Sequence, residues 1–301
     1  MGSGCGEPDV TFLSPNCAAL VTIDRHVSSM EYRTVWISDI HLGTSGSNVL
    51  GVLDFIRHNE FQTLYLVGDV IDVWHLERDH YWPQAHNDVV QKILRKARKG
   101  TNVIYIPGNH DEFCHNFLGN YGNVVIKTRD VHTTATGRRL LVMHGHEFDT
   151  VTTQARWLAH VGDTGYTFLL SANRPLNWLR QRLGLGPWSL SAYLKGRVKS
   201  AVRYVSQFEE AVGRYAALHE ADGIICGHIH TPAARTIRGI DYYNCGDWVE
   251  SSTALVEHLD GAIRLVHWEE TGLEIESEAT PSVADLHDQS DLLVCETEHS
   301  A

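Results

Sequence analysis

The stretch NVIYIPGNHD, residues 102–111, joins an apolar run to a polar cluster with a single Pro-Gly between them. Val, Ile and Tyr in alternation read as a buried strand, and Pro107-Gly108 ends it. Beyond that turn stand an amide, an imidazole and a carboxylate: Asn109, His110 and Asp111. Just upstream, NDVVQKILRKARKG (87–100) has helical apolar spacing and closes on Gly100. Further toward the N-terminus, TLYLVGD (63–69) reads as a strand, VLGVLDFIRH (49–58) as a helix and RTVWIS (33–38) as another strand. Strand, helix, strand, helix, strand in this order predicts βαβ units and a largely parallel sheet in an α/β layered domain.

Each strand ends alike. Asp39 and His41 come after 33–38, and Gly68-Asp69 with Asp72 after 63–67. RRLLVMHG (138–145) delivers His144 and His146, and GIICGHIH (223–230) delivers His228 and His230. The C-terminal strand edges of a parallel sheet line one crevice, where ligands bind. Taken singly, such a motif is more commonly a loop carboxylate or a cap than a ligand set. Five in order, each after an apolar strand, point to one site. His228 and His230 stand at i and i+2 of an extended segment, so they face one way. Two imidazoles aimed together repel if both are protonated, and a metal ion relieves that. Downstream, RTIRGIDYYNCGDW and TALVEHLDGAIRLVHW read as hairpins turning at Arg238-Gly239 and Asp260-Gly261, giving a second strand-rich layer.

Composition bounds the rest. The chain has 301 residues, 43% hydrophobic, with net charge -12. Ten acidic residues and neither Lys nor Arg lie between Glu269 and Ala301, leaving 25 basic against 27 acidic residues for 1–268. The near-neutral body has no nucleic-acid footprint, and none is expected as a partner. Residues 1–31 read as an N-terminal extension, 32–268 as the main domain and 269–301 as a disordered acidic tail. The six cysteines are scattered with no CxxC, which fits a reducing compartment. No signal-peptide pattern and no apolar run of ~18 residues is read. No oligomeric state is read from the sequence. Residues 150–218 break the strand rhythm with helical, Trp-bearing sequence. From Arg156 to Arg214 this stretch has nine Lys or Arg and three acidic residues. It is expected to be an inserted helical cap, both apolar and basic.

The series DIH, GDVID, GNHD, HGH, GHIH resembles the calcineurin-like metallophosphoesterase superfamily over roughly residues 33–248. The resemblance implies a layered β-sandwich-like α/β fold flanked by helices. It also implies two divalent metal ions. One would be held by Asp39, His41, Asp69 and His230, the other by Asp69, Asn109, His144 and His228, with Asp69 shared. Carboxylate, amide and imidazole donors without thiolate suit Mn, Fe, Co or Zn, and Mn is the first choice. His110 is expected beside the leaving group, with Asp69 and Asn109 also in the catalytic set. Asp111 is expected to orient its neighbours, and His146 to be an ordinary loop histidine.

Four further features narrow the substrate: Trp74 shortly after Asp72, GDWVESSTALVEH after the last strand pair, Phe148-Asp149 after His-Gly, and the Trp-rich insertion. Together they resemble the UDP-2,3-diacylglucosamine hydrolases, which cleave a pyrophosphate in a nucleotide-linked lipid. That implies work at the cytoplasmic face of the inner membrane, with the cap housing acyl chains. Asp72, Asp149, Arg180, Lys195 and Lys199 are the expected substrate contacts, with Asp72 read either as facing the substrate or as orienting a neighbouring ligand. The chain departs from that family with His110 in place of an Arg and His146 in place of an Asp. The alternatives are a soluble metal-dependent phosphodiesterase or phosphatase, and a non-catalytic scaffold.

Overall fold

The computed structural model describes residues 31–149, 190–268 and 274–277. Four parallel strands form the centre of a first sheet: β1 (Glu31–Ile37), β2 (Glu60–Val67), β3 (Asn102–Ile106) and β5 (Val124–Ile126). On one flank β11 (Thr253–Glu257), β12 (Ile263–Trp268) and β13 (Glu274–Ser277) are antiparallel, and β4 (Gly119–Tyr121) closes the other. The strand order across this sheet is β13-β12-β11-β1-β2-β3-β5-β4. The second sheet contains β6 (Asp130–Thr133), β7 (Arg139–Val142), β8 (Gly223–Cys226), β9 (Ala233–Ile237) and β10 (Ile240–Asn244). Its order is β6-β7-β8-β10-β9.

Side-chain alternation builds the layers. Trp36, Tyr65, Val67 and Ile106 point from the first sheet onto Leu140, Val142 and Ile225 of the second, forming the inner core. The alternate residues Val35, Ile37, Leu64 and Leu66 point outward, under α1 (Val49–His58) and α3 (Gln84–Arg98). Helix α1 starts because the Asn48 side chain accepts from Gly51 N–H at 3.0 Å. Helix α3 gives way at Gly100, whose φ of +112° is a left-handed exit that favours glycine. Between them in sequence, α2 (Val73–Asp79) is a short helix capped by Asp72. On the far face of the second sheet lies α4 (Leu190–Leu218), whose Phe208, Val212 and Ala216 pack on Leu141, Ile224 and Tyr242. The order of layers is therefore helices, sheet, sheet, helix.

Several expectations change. The end of the stretch read as a cap is an integral layer: from Tyr204 on, α4 closes the core of the second sheet. An apolar face at helical spacing looks the same whether it meets a ligand or a sheet. The rest of that stretch, 150–189, lies outside the described residues, as do 1–30. The acidic tail read from 269 contains β13, paired to β12 from Trp268↔Glu274 to Leu265↔Ser277. Charge composition hid a strand whose partner lies next to it. The first sheet is mixed rather than largely parallel, since β11, β12 and β13 extend it and, of the two C-terminal hairpins, the β9–β10 one alone lies in the second sheet. Cys114, Cys226 and Cys245 are free and buried. Among the described residues no helix is long and apolar enough to cross a membrane.

If α4 is a core layer, Phe208→Ala should destabilise the protein by about 3–5 kcal/mol in denaturant unfolding, the usual cost of emptying a buried aromatic site. A helix that merely covered a site would lose under about 1 kcal/mol.

Candidate active site

All five strand-end motifs meet at the C-terminal edge of the parallel strands. Backbone bonds zip the first two loops together: Asp39 N–H donates to Gly68 O at 3.0 Å, His41 N–H to Asp69 O at 2.9 Å and Leu42 N–H to Val70 O at 2.9 Å. Asp111 staples the third. Its fully buried carboxylate accepts from Gly108 N–H at 2.6 Å, Val70 N–H at 2.8 Å and Tyr105 Oη–H at 2.5 Å. That seats Asn109 and His110 beside Asp69, whose Oδ1 accepts from His110 N–H at 2.8 Å. The second sheet joins through Gly227 N–H on His144 O and His228 N–H on Asp39 Oδ2, at 3.1 and 3.0 Å. Glycine is required where these loops cross. A Cβ on Gly108 would lie 2.2 Å from Asp69 Oδ1, and one on Gly68, at φ +79°, 2.2 Å from the His144 ring.

Three groups of side chains converge: Asp39, His41 and His230; Asp69, His144 and His228; and His41, Asp72 and His110, with the donor atoms of each group within 4.8 Å of one another. Three of the imidazoles are held from behind by one nitrogen. His41 Nδ1 is 3.2 Å from Asp72 Oδ2, His144 Nδ1 is 2.8 Å from Val67 O and His228 Nε2 is 2.7 Å from Asp149 Oδ1. Such contacts fix ring orientation and leave the other nitrogen for a ligand. The inward atoms Asp39 Oδ1, His41 Nε2, Asn109 Oδ1 and His144 Nε2 are buried without an aligned hydrogen bond, although His230 Nε2 stands 3.1 Å from Asp39 Oδ1 and Asp69 Oδ2 stands 3.3 Å from His144 Nε2. Buried polar atoms are ordinarily satisfied, so orphans gathered at one spot mark something that belongs there. All are hard or borderline donors, and a pair of divalent cations fits them.

A sequence model of the family described as Calcineurin-like phosphoesterase matches residues 32–232. The chain belongs to that family. It is thus a metal-dependent phosphoesterase. Among its relatives is a UDP-2,3-diacylglucosamine hydrolase of Vibrio cholerae serotype O1, 26% identical over 242 residues that cover 74% of this chain and 93% of the relative. Another of that name, from Azotobacter vinelandii, is 27% identical over 68% of this chain and 84% of its own length. A third, from Cellvibrio japonicus, is 23% identical over 78% and 99%.

In this phosphoesterase the contacts of Asp72 are those of an orienting residue, one of its two expected roles. Its Oδ1 caps α2 by accepting from His75 N–H at 2.8 Å and stands 3.0 Å from His110 Nδ1, while Oδ2 holds His41. Asp149 likewise sits on His228. Lys195 and Lys199 fall on α4, and Arg180 lies outside the described residues. His110 is at the mouth, its ring 4.2 Å from that of the half-exposed Trp74. The ring of His146 lies 5.5 Å from that of His144, and burial lowers its pKa. Sequence reasoning missed Asp247, which accepts from Val249 and Glu250 N–H and comes within 4.0 Å of His230 Nδ1. Its signal was GDW, an Asp at the turn after a strand. Also unforeseen is the backbone. Asp39, His41, Asp69, His228 and His230 all have φ between +52° and +69°. Left-handed non-glycine residues cost about 1–3 kcal/mol each and gather where function holds them.

Without a cation, burial and neighbouring charge set the electrostatics. Burial raises the Asp39 carboxyl, but His230 outweighs it and leaves the pKa at about 2. Asp69 is likewise raised by burial and driven below the usual range by His144. Burial lowers His144 and His230, yet Asp69 and Asp39 raise them to about 10 and about 9. Protons on these rings supply the positive charge the carboxylates demand. The raised histidines stabilise the metal-free fold fully below their unfolded pKa of 6.5, and this is lost as pH rises through about 9 to 10. The Asp39 contribution is lost as pH falls toward about 2.

Metal ligation needs both rings neutral. Loading the stripped protein at pH 7 should therefore release about two protons per chain, and apparent affinity should climb with pH until about 9 to 10. Calorimetric titration in buffers of different ionisation enthalpy reads this directly. Loading without proton release would contradict it.

Proposed function

We propose that the protein hydrolyses the pyrophosphate of UDP-2,3-diacylglucosamine or a similar nucleotide-linked lipid, giving UMP and a lipid phosphate. The observation that carries the hydrolytic reading is the set of orphaned, inward-facing donors from three strand ends. The names of relatives that align over most of their length support the substrate. In this reading Asp39, His41, Asp69 and His230 hold one divalent ion, and Asp69, Asn109, His144 and His228 the other. Manganese is the first choice, and the site of action is the cytoplasmic face of the inner membrane.

Two bound ions supply Lewis-acid charge and make water acidic enough to attack near neutral pH. The protein's share is placement. The staple at Asp111 and the zipped loops hold the donors rigid, so little reorganisation is needed when charge develops on phosphorus. As water oxygen bonds to phosphorus, the water's proton passes to solvent, the bond from phosphorus to the bridging oxygen breaks, and the lipid phosphate leaves with the charge on that oxygen. His110 is set to stabilise this charge by donating a hydrogen bond. Asp72 beside its Nδ1 leaves Nε2 for the substrate, and Trp74 fixes the ring plane. Asp72 thus positions both His41 and His110.

Hydrolysis of UDP-2,3-diacylglucosamine and of a soluble aryl phosphodiester, compared in Mn-containing buffer, tests the substrate. A strong preference for the lipid nucleotide is expected. Equal or better turnover of the aryl ester would replace this reading with a soluble phosphodiesterase or phosphatase. His110→Ala should lower turnover of the lipid nucleotide by about 10²-fold or more at unchanged metal content. Loss of metal instead would make His110 a structural residue. Asp72→Asn should cut turnover about 10–100-fold with the fold retained by circular dichroism, and wild-type turnover would remove its positioning role.

A further inference from the structure

At the opposite end of the parallel sheet, α3 finishes beside the start of β2. A cleft of about 480 Å³ there is lined by Lys92, Arg95, Lys96, Arg98, Lys99 and the single acid Glu60. Lys96 is buried and committed, with Nζ 2.7 Å from Asn59 O and 2.8 Å from Glu60 Oε2. Among the described residues no carboxylate pairs with the other four cations, and Arg95 reaches only Gln91 Oε1 at 3.3 Å. Adjoining this cleft, and sharing Arg98, is a second of about 350 Å³ with an apolar shelf of Leu94, Tyr121 and Val124. Leu94 and Tyr121 are more than half exposed. Crowded, uncompensated positive charge beside exposed apolar surface is what an acidic, partly apolar segment would cover.

The chain carries such a segment. Residues 278–301 have six acidic groups and neither Lys nor Arg, and the run DLLVCETE, 291–298, sets three apolar residues among acids. The path fits. Strand β13 runs antiparallel to β12, β12 to β11 and β11 to β1, so the chain leaves Ser277 toward the end where β1 and β2 begin. From β13 to β2 is four strand spacings, or about 19 Å, and the fourteen residues from Ser277 to Asp291 span up to about 46 Å. We infer that the basic face of α3 is the docking surface for this chain's own acidic C-terminal segment. A membrane there would lie against the end of the sheet away from the proposed metal site. A nucleic acid would have to approach a chain of net charge -12. The tethered segment meets neither obstacle and holds the face at high effective concentration.

Zero-length carbodiimide cross-linking of the dilute full-length protein tests this. Cross-links from carboxylates of 285–298 to Lys92 or Lys99 are expected in the monomer. They should vanish in the R95E/R98E variant and at about 0.5 M salt, where exposed charges are screened within ~4 Å. A synthetic peptide of residues 278–301 should bind full-length protein whose own tail acids are changed to amides at least about tenfold more tightly than it binds the wild type, because the wild-type face is occupied. Cross-links that are absent or confined to dimers, or equal peptide affinity for both proteins, would overturn the inference. Both readouts are independent of hydrolysis, so they stand or fall apart from the proposed activity.

Discussion

Burying two carboxylates in one crevice is unfavourable by several kcal/mol per charge unless positive charge arrives with them. Asp39 and Asp69 are both buried, and each raises the other's demand for a cation. Everything around them can be understood as a response. The imidazoles of His144 and His230, both proposed ligands, take up protons in the metal-free protein. The outer carboxylates Asp72 and Asp149 hold their rings from behind, and Asp247 stands 4.0 Å behind His230 Nδ1. Because the donors come from both sheets, the inner core of Trp36, Tyr65, Val142 and Ile225 is what fixes their separation. Packing and site chemistry are therefore one problem here: a shift of either sheet would move part of the proposed ligand set.

The backbone carries the counterpart of that demand. Left-handed geometry at Asp39, His41, Asp69, His228 and His230 turns side chains inward that an extended strand end would aim along the sheet. Strain of this kind persists only where surroundings over-determine it. The surroundings do so through Asp111 on one side and through Trp248 N–H on Asp39 O, at 3.1 Å, on the other. The loop after β10, with Asp247 and Ser251 tied into it, is thus a support for the site although it contributes none of the proposed ligands.

Much of this is legible in the residues. Apolar runs ending in Asp69, Asn109, His144 or His228 announce both the strands and the crevice, because strand ends and ligands share one short motif. The turns at Arg238-Gly239 and Asp260-Gly261 are legible too, through glycine. The features that escape depend on partners distant in sequence. Phe208 reads as a cap residue until β8 and β10 are placed beneath it. Glu274–Ser277 is acidic enough to pass for tail until β12 supplies the backbone partners. Asp72 stays open between substrate contact and orienter because sequence cannot show that His41 and His75 already occupy its oxygens. The short β4–β5 hairpin and β6 have too few residues for periodicity to register.

One carboxylate, that of Asp69, is assigned to two cations, and the proposed chemistry rests on that sharing. The decisive measurement is metal content by mass spectrometry, on wild type and Asp69→Ala reconstituted with Mn, with turnover followed in parallel. Two ions per chain are expected in the wild type, and loss of both tightly bound ions together with turnover in the variant. Two retained ions and near-wild-type hydrolysis in Asp69→Ala would contradict the shared carboxylate.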